Sequence, residues 1–198
     1  MTYRNILAFG AHPDDLEVGA GGILARFARD GATVTMVVSS VPNQPAVRKK
    51  EAKRAAELLG TTLELLPFKR LEAVAMSELV ARYDALVANA RPDLVITQSA
   101  HDVHHDHVMV HRASIAALRR TRCDVWSYIA GPLLGGVERR LGQCFADVSS
   151  TIDVKLAAIA AHASQRIDVE SRKAIARAMG ALSRCQYAEV FEVLRMQV

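Results

Sequence analysis

The sequence predicts an α/β fold, in which a Rossmann-like, mostly parallel sheet carries helices on both faces. Short apolar segments rich in β-branched residues alternate along the chain with longer segments whose apolar residues recur at helical spacing. Glycine, proline or polar residues separate these segments. Strands that alternate with helices form parallel sheets, which bind ligands at the carboxyl ends of their strands. We therefore expect an active site at that end.

The first elements are clear in the sequence. Arg4–Ala11 is a short apolar run before a polar cluster, which is typical of a buried strand. Apolar residues at helical spacing predict a helix over Val18–Asp30, and Gly31 ends it. The β-branched run Thr33–Ser39 predicts the second strand.

The later elements continue this alternation. They are predicted to be the helix Arg48–Leu59, strand Thr62–Leu66, helix Ser77–Ala90 with Ser77 as its N-cap, strand Asp93–Thr97, helix Val108–Leu118 and strands Asp124–Ile129 and Cys144–Val148. A glycine-rich piece over residues 131–143 separates the last two strands. From about Thr151 we expect a helical portion, with a second helix to the end. One domain spanning residues 1–198 is predicted.

Composition excludes several classes of function. The chain is 198 residues long, and its 5% aromatic content argues against a stacking surface for single-stranded nucleic acid, so we expect no nucleic-acid partner. No apolar run approaches the ~20 residues that span a bilayer, and the N-terminus lacks a signal-peptide layout. The three cysteines form no C-x-x-C pair, which favours reduced thiols and a cytoplasmic location.

Two chemically loaded segments each follow a predicted strand directly. Residues 11–17 read Ala-His-Pro-Asp-Asp-Leu-Glu, and residues 101–107 read His-Asp-Val-His-His-Asp-His. A catalytic zinc ion needs about three protein ligands and an open position. Neighbouring strand ends lie only about 5 Å apart, or about 10 Å with one strand between them. The two segments could therefore share one ion.

The adjacent carboxylates Asp14 and Asp15 allow a division of labour. One can bind the ion, and the other can take a proton from a water molecule whose pKa the ion lowers toward ~7. Pro13 stiffens the loop between His12 and these carboxylates. Without a metal, the same side chains would be ordinary loop residues, with one aspartate capping the following helix.

The combination of the two segments resembles the PIG-L/LmbE-like zinc-dependent de-N-acetylases, which act on N-acetylglucosaminyl conjugates. That family pairs an A-H-P-D-D-x-E motif near the N-terminus with a later H-x-D-H motif, here residues 11–17 and 104–107. The similarity extends to an R-x-x-E pair at Arg48 and Glu51 and to a K…H-x-S-Q segment from Lys155 to Gln165. It covers most of the chain.

The resemblance implies zinc-dependent hydrolysis of the acetamide of an N-acetylated amino sugar, which releases acetate and a free amine. It implies one Zn²⁺ per chain, bound by His12, Asp15 and His107. Fe²⁺ or Co²⁺ also suits such a His/Asp site. The expected partner is a small N-acetyl sugar conjugate, and the resemblance also favours a homo-oligomer.

The resemblance also assigns roles to the remaining motif residues. Asp14 is implied to be the general base, and His104 is implied to stabilise the oxyanion and protonate the leaving amine. Asp106 would orient His104 and raise its pKa. Glu17 would support the loop, and Arg48 would contact substrate.

Some residues depart from the family pattern. His105 stands where the family often has proline, and we expect its ring to point outward. Lys69 and Arg70 follow the third strand in place of a frequent aspartate, which makes them candidates for binding a phosphate or carboxylate. The sequence leaves two roles equally open for His162. It could lie near the substrate or order a loop, or it could be a packed helical residue.

Three alternative functions remain open at this point. The chain could hydrolyse a non-sugar amide, or it could bind a metal without catalysis. A nucleotide-binding module is suggested by the glycines of residues 19–22, but they do not match G-x-G-x-x-G in register with the first strand. The second strand also lacks a terminal acidic residue to hold a ribose. Those glycines favour close packing of a helix on the sheet instead.

Overall fold

The computed structural model describes residues 2–130 and 144–197. The strands are β1 (Asn5–Gly10), β2 (Thr33–Ser40), β3 (Thr62–Phe68), β4 (Leu94–Gln98), β5 (Asp124–Tyr128), β6 (Cys144–Asp147) and β7 (Ala188–Arg195). The helices are α1 (Asp15–Arg29), α2 (Pro45–Leu59), α3 (Met76–Ala90), α4 (His105–Ala117), α5 (Ile152–Ala160) and α6 (Val169–Ser183). The predicted glycine-rich piece over residues 131–143 lies outside the described residues.

The strands form a seven-stranded sheet in the order β3-β2-β1-β4-β5-β7-β6. The first five strands of this order are parallel, and β7 runs antiparallel to both of its neighbours. Strands β1 and β4 are adjacent, with Ala8 opposite Ile96. The carboxyl ends of these two strands therefore lie side by side.

The sheet separates two apolar cores. Successive residues of β1 alternate between them, because side chains of a strand point to opposite faces. Ile6 and Ala8 belong to the core that also contains buried residues of α1, α2 and α5, whereas Leu7 and Phe9 belong to the core of α3 and α4. Helices thus cover both faces of the sheet, which confirms the predicted α/β class.

Helix boundaries differ from the prediction at several N-termini. Helix α1 begins at Asp15 and α4 at His105, each three residues earlier than predicted, so both chemically loaded segments run into the first turn of a helix. The prediction that Ser77 caps α3 is wrong, since that helix begins at Met76 and Ala75 occupies the cap position.

The prediction of a second helix to the end of the chain is wrong beyond Ser183. Helix α6 ends there, and Ala188–Arg195 forms β7 between β5 and β6. Phe191 of this strand is fully buried, so pairing with two strands and burial of its face favour the extended form. The extent of the domain stays a prediction. Within the described residues, no helix combines the length and the apolar character that crossing a bilayer requires.

The glycines near the start of α1 pack against the sheet and its surroundings. A Cβ atom on Gly19 would lie 2.0 Å from Cδ2 of Tyr128, and one on Gly22 would lie 2.8 Å from Val148. Such distances are shorter than any side chain allows, so these positions require glycine. This close packing is what the sequence favoured over a nucleotide-binding loop.

Candidate metal centre and substrate cavity

The two chemically loaded segments meet at the carboxyl end of the sheet. One leaves β1 and begins α1, and the other follows the adjacent β4 and begins α4. Each of His12, Asp15 and His107 offers a ligand atom, and these atoms all lie within 4.8 Å of one another. The structure therefore brings together the three residues predicted to bind a metal.

Asp15 lies between the two histidine rings. Its Oδ1 is 3.3 Å from His107 Nε2, and its Oδ2 is 3.6 Å from His12 Nδ1. Ligand atoms about 2.0–2.2 Å from a tetrahedral ion are about 3.3–3.6 Å apart, so the distance from Asp15 Oδ1 to His107 Nε2 fits a zinc-sized ion. Burial alone would raise the pKa of Asp15, but the two histidines lower it below its usual value. A charged carboxylate is thus ready to bind a cation.

Hydrogen bonds distinguish the two oxygens of the Asp15 carboxylate. Its Oδ2 accepts hydrogen bonds from the backbone N–H groups of Ala11 and His12, at 3.0 and 2.8 Å, and from Nε2 of Gln98 at 2.9 Å. Three donors occupy that oxygen, which leaves Oδ1 as the oxygen available to a metal ion. Gln98, the last residue of β4, was not singled out in the sequence.

Each histidine of the triad has a second carboxylate behind it. His12 Nε2 is 2.9 Å from Asp106 Oδ2, and His107 Nδ1 is 2.9 Å from Asp102 Oδ2. Burial lowers the pKa of His107, but its hydrogen bonds with Asp102 and Asp15 outweigh burial and raise it to about 10. Carboxylates in this position orient a ring and make its free nitrogen more basic. The free nitrogens, His12 Nδ1 and His107 Nε2, both face Asp15.

The prediction that the Asp106 carboxylate orients His104 is wrong. That carboxylate contacts His12, whereas the backbone N–H of Asp106 donates to His104 Nδ1 at 3.1 Å. The predicted rise in the pKa of His104 is wrong as well, since burial and the neighbouring His107 and His12 lower it. Because Nδ1 accepts a hydrogen bond, the neutral ring carries its proton on Nε2.

Asp14 lies beside the triad in an unusual backbone conformation. Its φ angle is +103°, which a residue other than glycine rarely adopts and which costs roughly 1–3 kcal/mol. Arg48 holds this turn: Nη2 donates to the Pro13 carbonyl at 2.7 Å and lies 3.5 Å from Asp14 Oδ2. Burial and repulsion from Asp15 raise the pKa of Asp14 to about 7, against the opposing effect of Arg48. A general base works best with a pKa near the ambient pH.

Arg48 and Glu17 are both committed to other protein groups. Arg48 is buried, and its Nη1 also donates to Asn43 Oδ1 at 2.8 Å, so its predicted contact with substrate stays a prediction. Glu17 is buried too, with Oε1 3.0 Å from His162 Nε2. This contact ties α1 to the end of α5, and His162 is therefore a packed residue that orders this junction.

A cavity of about 340 Å³ opens from the candidate metal residues. Asp14 and His104 line it near the triad, and Gln165 and Arg172 line it near the start of α6. His105 is exposed, as predicted. Lys69 and Arg70, the sequence candidates for binding an anion, are exposed and do not line the cavity. Arg172 was not a site candidate, because nothing in the sequence places α6 beside the two segments that carry the candidate metal ligands.

We expect Asp102→Ala to weaken zinc binding about 10- to 100-fold, because the His107 ring would lose the carboxylate that orients it. The dissociation constant can be measured by competition with a chromophoric chelator. Asp153→Ala removes an exposed carboxylate at the start of α5 and is the matched control. Equal affinity of both variants and wild type would show that Asp102 does not support the site.

Comparison with known proteins identifies relatives over most of the chain. The family model described as PIG-L, GlcNAc-PI de-N-acetylase, matches residues 7–118. An uncharacterized deacetylase of Escherichia coli K12, YaiS, is 31% identical over 127 residues, covering 59% of this chain and 69% of the relative. The 1D-myo-inositol 2-acetamido-2-deoxy-α-D-glucopyranoside deacetylase of Mycobacteroides abscessus is 26% identical over 231 residues, covering 83% and 82%.

Solved structures share the whole fold. The 4-carboxy-2-hydroxymuconate hydratase GalB of Pseudomonas putida KT2440 superposes with a TM-score of 0.87 at 22% identity, covering 98% of each chain. At this identity the likeness shows the fold alone. The matched family region, residues 7–118, contains both segments that form the candidate metal centre.

Proposed function

The chain belongs to the PIG-L family of GlcNAc-PI de-N-acetylases, enzymes that hydrolyse amide bonds, and we propose that it is a zinc-dependent N-deacetylase of an N-acetylated amino sugar. The observation that carries this proposal is the spacing of His12, Asp15 and His107 around one point, with the carboxylate of Asp14 beside them in the cavity. The relative from M. abscessus is named for a 2-acetamido sugar conjugate, which supports the substrate class.

The chain's own groups divide the reaction between them. When bound, a divalent ion supplies polarisation of the acetamide carbonyl and acidifies the attacking water. Asp14 accepts the proton of that water, since its carboxyl lines the cavity and has a pKa of about 7. Arg48 keeps the Asp14 turn in place through the Pro13 carbonyl.

His104 provides the hydrogen-bond donor for the developing oxyanion. Its Nδ1 is occupied by the backbone N–H of Asp106, so the Nε2–H group of the neutral ring is available to the cavity that His104 lines. Donation from a fixed group costs no reorganisation during the reaction. As the C–N bond breaks, the proton that Asp14 has taken passes to the leaving nitrogen, directly or through His104, and acetate and a free amine result.

Metal analysis combined with an acetate-release assay tests the proposal. We expect one zinc ion per chain and chelator-sensitive acetate release from a panel of N-acetylglucosamine conjugates. Metal without acetate release would reject this substrate class and favour a non-sugar amide. Absence of metal after reconstitution with Zn²⁺, Fe²⁺ and Co²⁺ in turn would overturn the proposed site.

A second candidate is a hydratase that acts on a carboxylated substrate. A base and a proton donor beside an ion also suit addition of water to a double bond, and the fold that the chain shares with the P. putida hydratase is compatible with that reaction. Loss of the ultraviolet absorbance of a conjugated dicarboxylate, without acetate release from any amide, would support this candidate. A homo-oligomer, a cytoplasmic location and the lack of a nucleic-acid partner stay predictions.

A further inference from the structure

We propose that Arg172 binds an anionic group of the substrate, a carboxylate or a phosphate, so that the N-acetylated substrate is an acidic conjugate. This inference rests on the proposed deacetylase function. The candidate metal residues and Arg172, on the first turn of α6, line one cavity of about 340 Å³. A small conjugate bound with its acetamide at Asp14 can therefore extend within this cavity to Arg172.

The other charged residues that line this cavity have partners. Asp15 accepts three hydrogen bonds, and Arg48 binds the Pro13 carbonyl and lies beside Asp14. The Arg172 guanidinium, by contrast, makes no hydrogen bond or ion pair with any residue of the ranges 2–130 and 144–197, although it is half-buried. Among these described residues nothing neutralises its charge, which can therefore act on a ligand.

An acidic neighbour on the same helix does not occupy Arg172. Asp168 lies one turn earlier, and Arg172 contributes the smallest of the effects that lower its pKa. The Asp168 carboxylate is bound instead to Ser171, through the backbone N–H at 3.1 Å and the hydroxyl at 2.5 Å. Asp168 therefore caps α6, and its carboxylate forms no ion pair with the Arg172 guanidinium.

The chemistry of the guanidinium defines the ligand class. Arginine stays charged at every relevant pH and presents parallel N–H donors that match a carboxylate or a phosphate. A partly buried charge without a partner is unfavourable, and an anionic ligand would supply that partner. Gln165 and Ile167 also line the cavity, so an amide and an apolar side chain are available to the same ligand.

Paired substrates that differ in one charge test the inference. We would compare kcat/KM for N-acetylglucosamine with that for its 1-phosphate, its 6-phosphate and N-acetylmuramic acid, which carries a lactyl carboxylate. Wild type should favour at least one acidic substrate, and Arg172→Ala should lower kcat/KM for that substrate about 10- to 100-fold, mainly through KM. The kcat/KM for the neutral sugar should fall far less in this variant. Whether wild type prefers the phosphates or the carboxylate identifies the anionic group that Arg172 binds.

Arg177→Ala is the matched control, because Arg177 is an exposed arginine of the same helix that does not line the cavity. It should leave every substrate unaffected. Equal losses of acidic and neutral substrates in Arg172→Ala, or no loss at all, would overturn the inference.

Product binding separates this inference from the proposed function. Calorimetric titration of the zinc-loaded protein with glucosamine, glucosamine 1-phosphate, glucosamine 6-phosphate and muramic acid requires no turnover. Wild type should bind an acidic amine more tightly than glucosamine, and Arg172→Ala should abolish this difference. That result would support the inference about Arg172 even if no acetate is released. If neither acetate release nor product binding depended on the charge of the ligand, the inference about Arg172 would be wrong and the proposed deacetylase function would stand.

Discussion

Asp14→Asn is expected to lower kcat by about 10²- to 10⁴-fold while the protein keeps its metal. Asparagine has nearly the same shape as aspartate but cannot accept the proton of the attacking water. Asp14 is also not one of the three residues whose ligand atoms lie within 4.8 Å of one another. Steady-state kinetics and metal analysis of the same preparation measure the two effects.

Asp15→Ala provides the contrasting variant. Its carboxylate lies 3.3 Å from His107 Nε2, between the two rings, so its loss should lower metal content as well as activity. Asp153→Asn, at an exposed position, controls for removing a carboxylate from the surface. If Asp14→Asn also lost its metal, Asp14 would act as a ligand, and the assigned base would be wrong.

The triad could be predicted because two local patterns determine it. Each polar segment directly follows an apolar run that becomes a strand, and the carboxyl ends of parallel strands share one edge of the sheet. The structure makes β1 and β4 immediate neighbours, which brings His12 and Asp15 to His107. Sequence order alone could not show whether β1 and β4 are adjacent or have another strand between them.

The partners of the histidines could not be predicted. Asp102 and Asp106 stand in one seven-residue segment, and either could face either ring. Helix α4 begins at His105, which turns the backbone N–H of Asp106 toward His104 and its carboxylate toward His12. The choice thus depends on the exact start of a helix, and this start lies three residues before the predicted one.

Strand β7 was missed for a related reason. The segment Ala188–Arg195 mixes residues that suit a helix with residues that suit a strand, so local preference does not decide its form. Pairing with β5 and β6 decides it, and β6 is itself distant in sequence. The same strand carries Glu189, which contacts α1, the helix that begins at the candidate metal site.

The second large effect is expected from Lys155→Met, which should destabilise the fold by about 3–5 kcal/mol because it leaves the buried Glu189 carboxylate without its cation. Lys155 Nζ is 2.6 Å from Glu189 Oε1, and both side chains are almost completely buried. For a chain of this size, this corresponds to a decrease in Tm of about 6–20 °C. Calorimetry of wild type and variant measures it.

Asp84→Asn is the matched control. The Asp84–Arg119 ion pair has a similar length, 2.7 Å, but its side chains are 36% and 51% exposed. Water screens such a pair, so its loss should leave Tm indistinguishable from that of wild type. If the two variants lost equal stability, burial would not be what makes the Lys155–Glu189 pair important.

The ion pair acts on the backbone of α1, the helix that begins at Asp15, one of the candidate metal ligands. Lys155 Nζ donates to the Val18 carbonyl, and the backbone N–H of Gly22 donates to Glu189 Oε1, groups that a regular helix pairs with each other. In Lys155→Met/Glu189→Leu these two backbone groups can satisfy each other, so the double variant should be more stable than Lys155→Met alone. Additive losses would show instead that each side chain stabilises the fold independently.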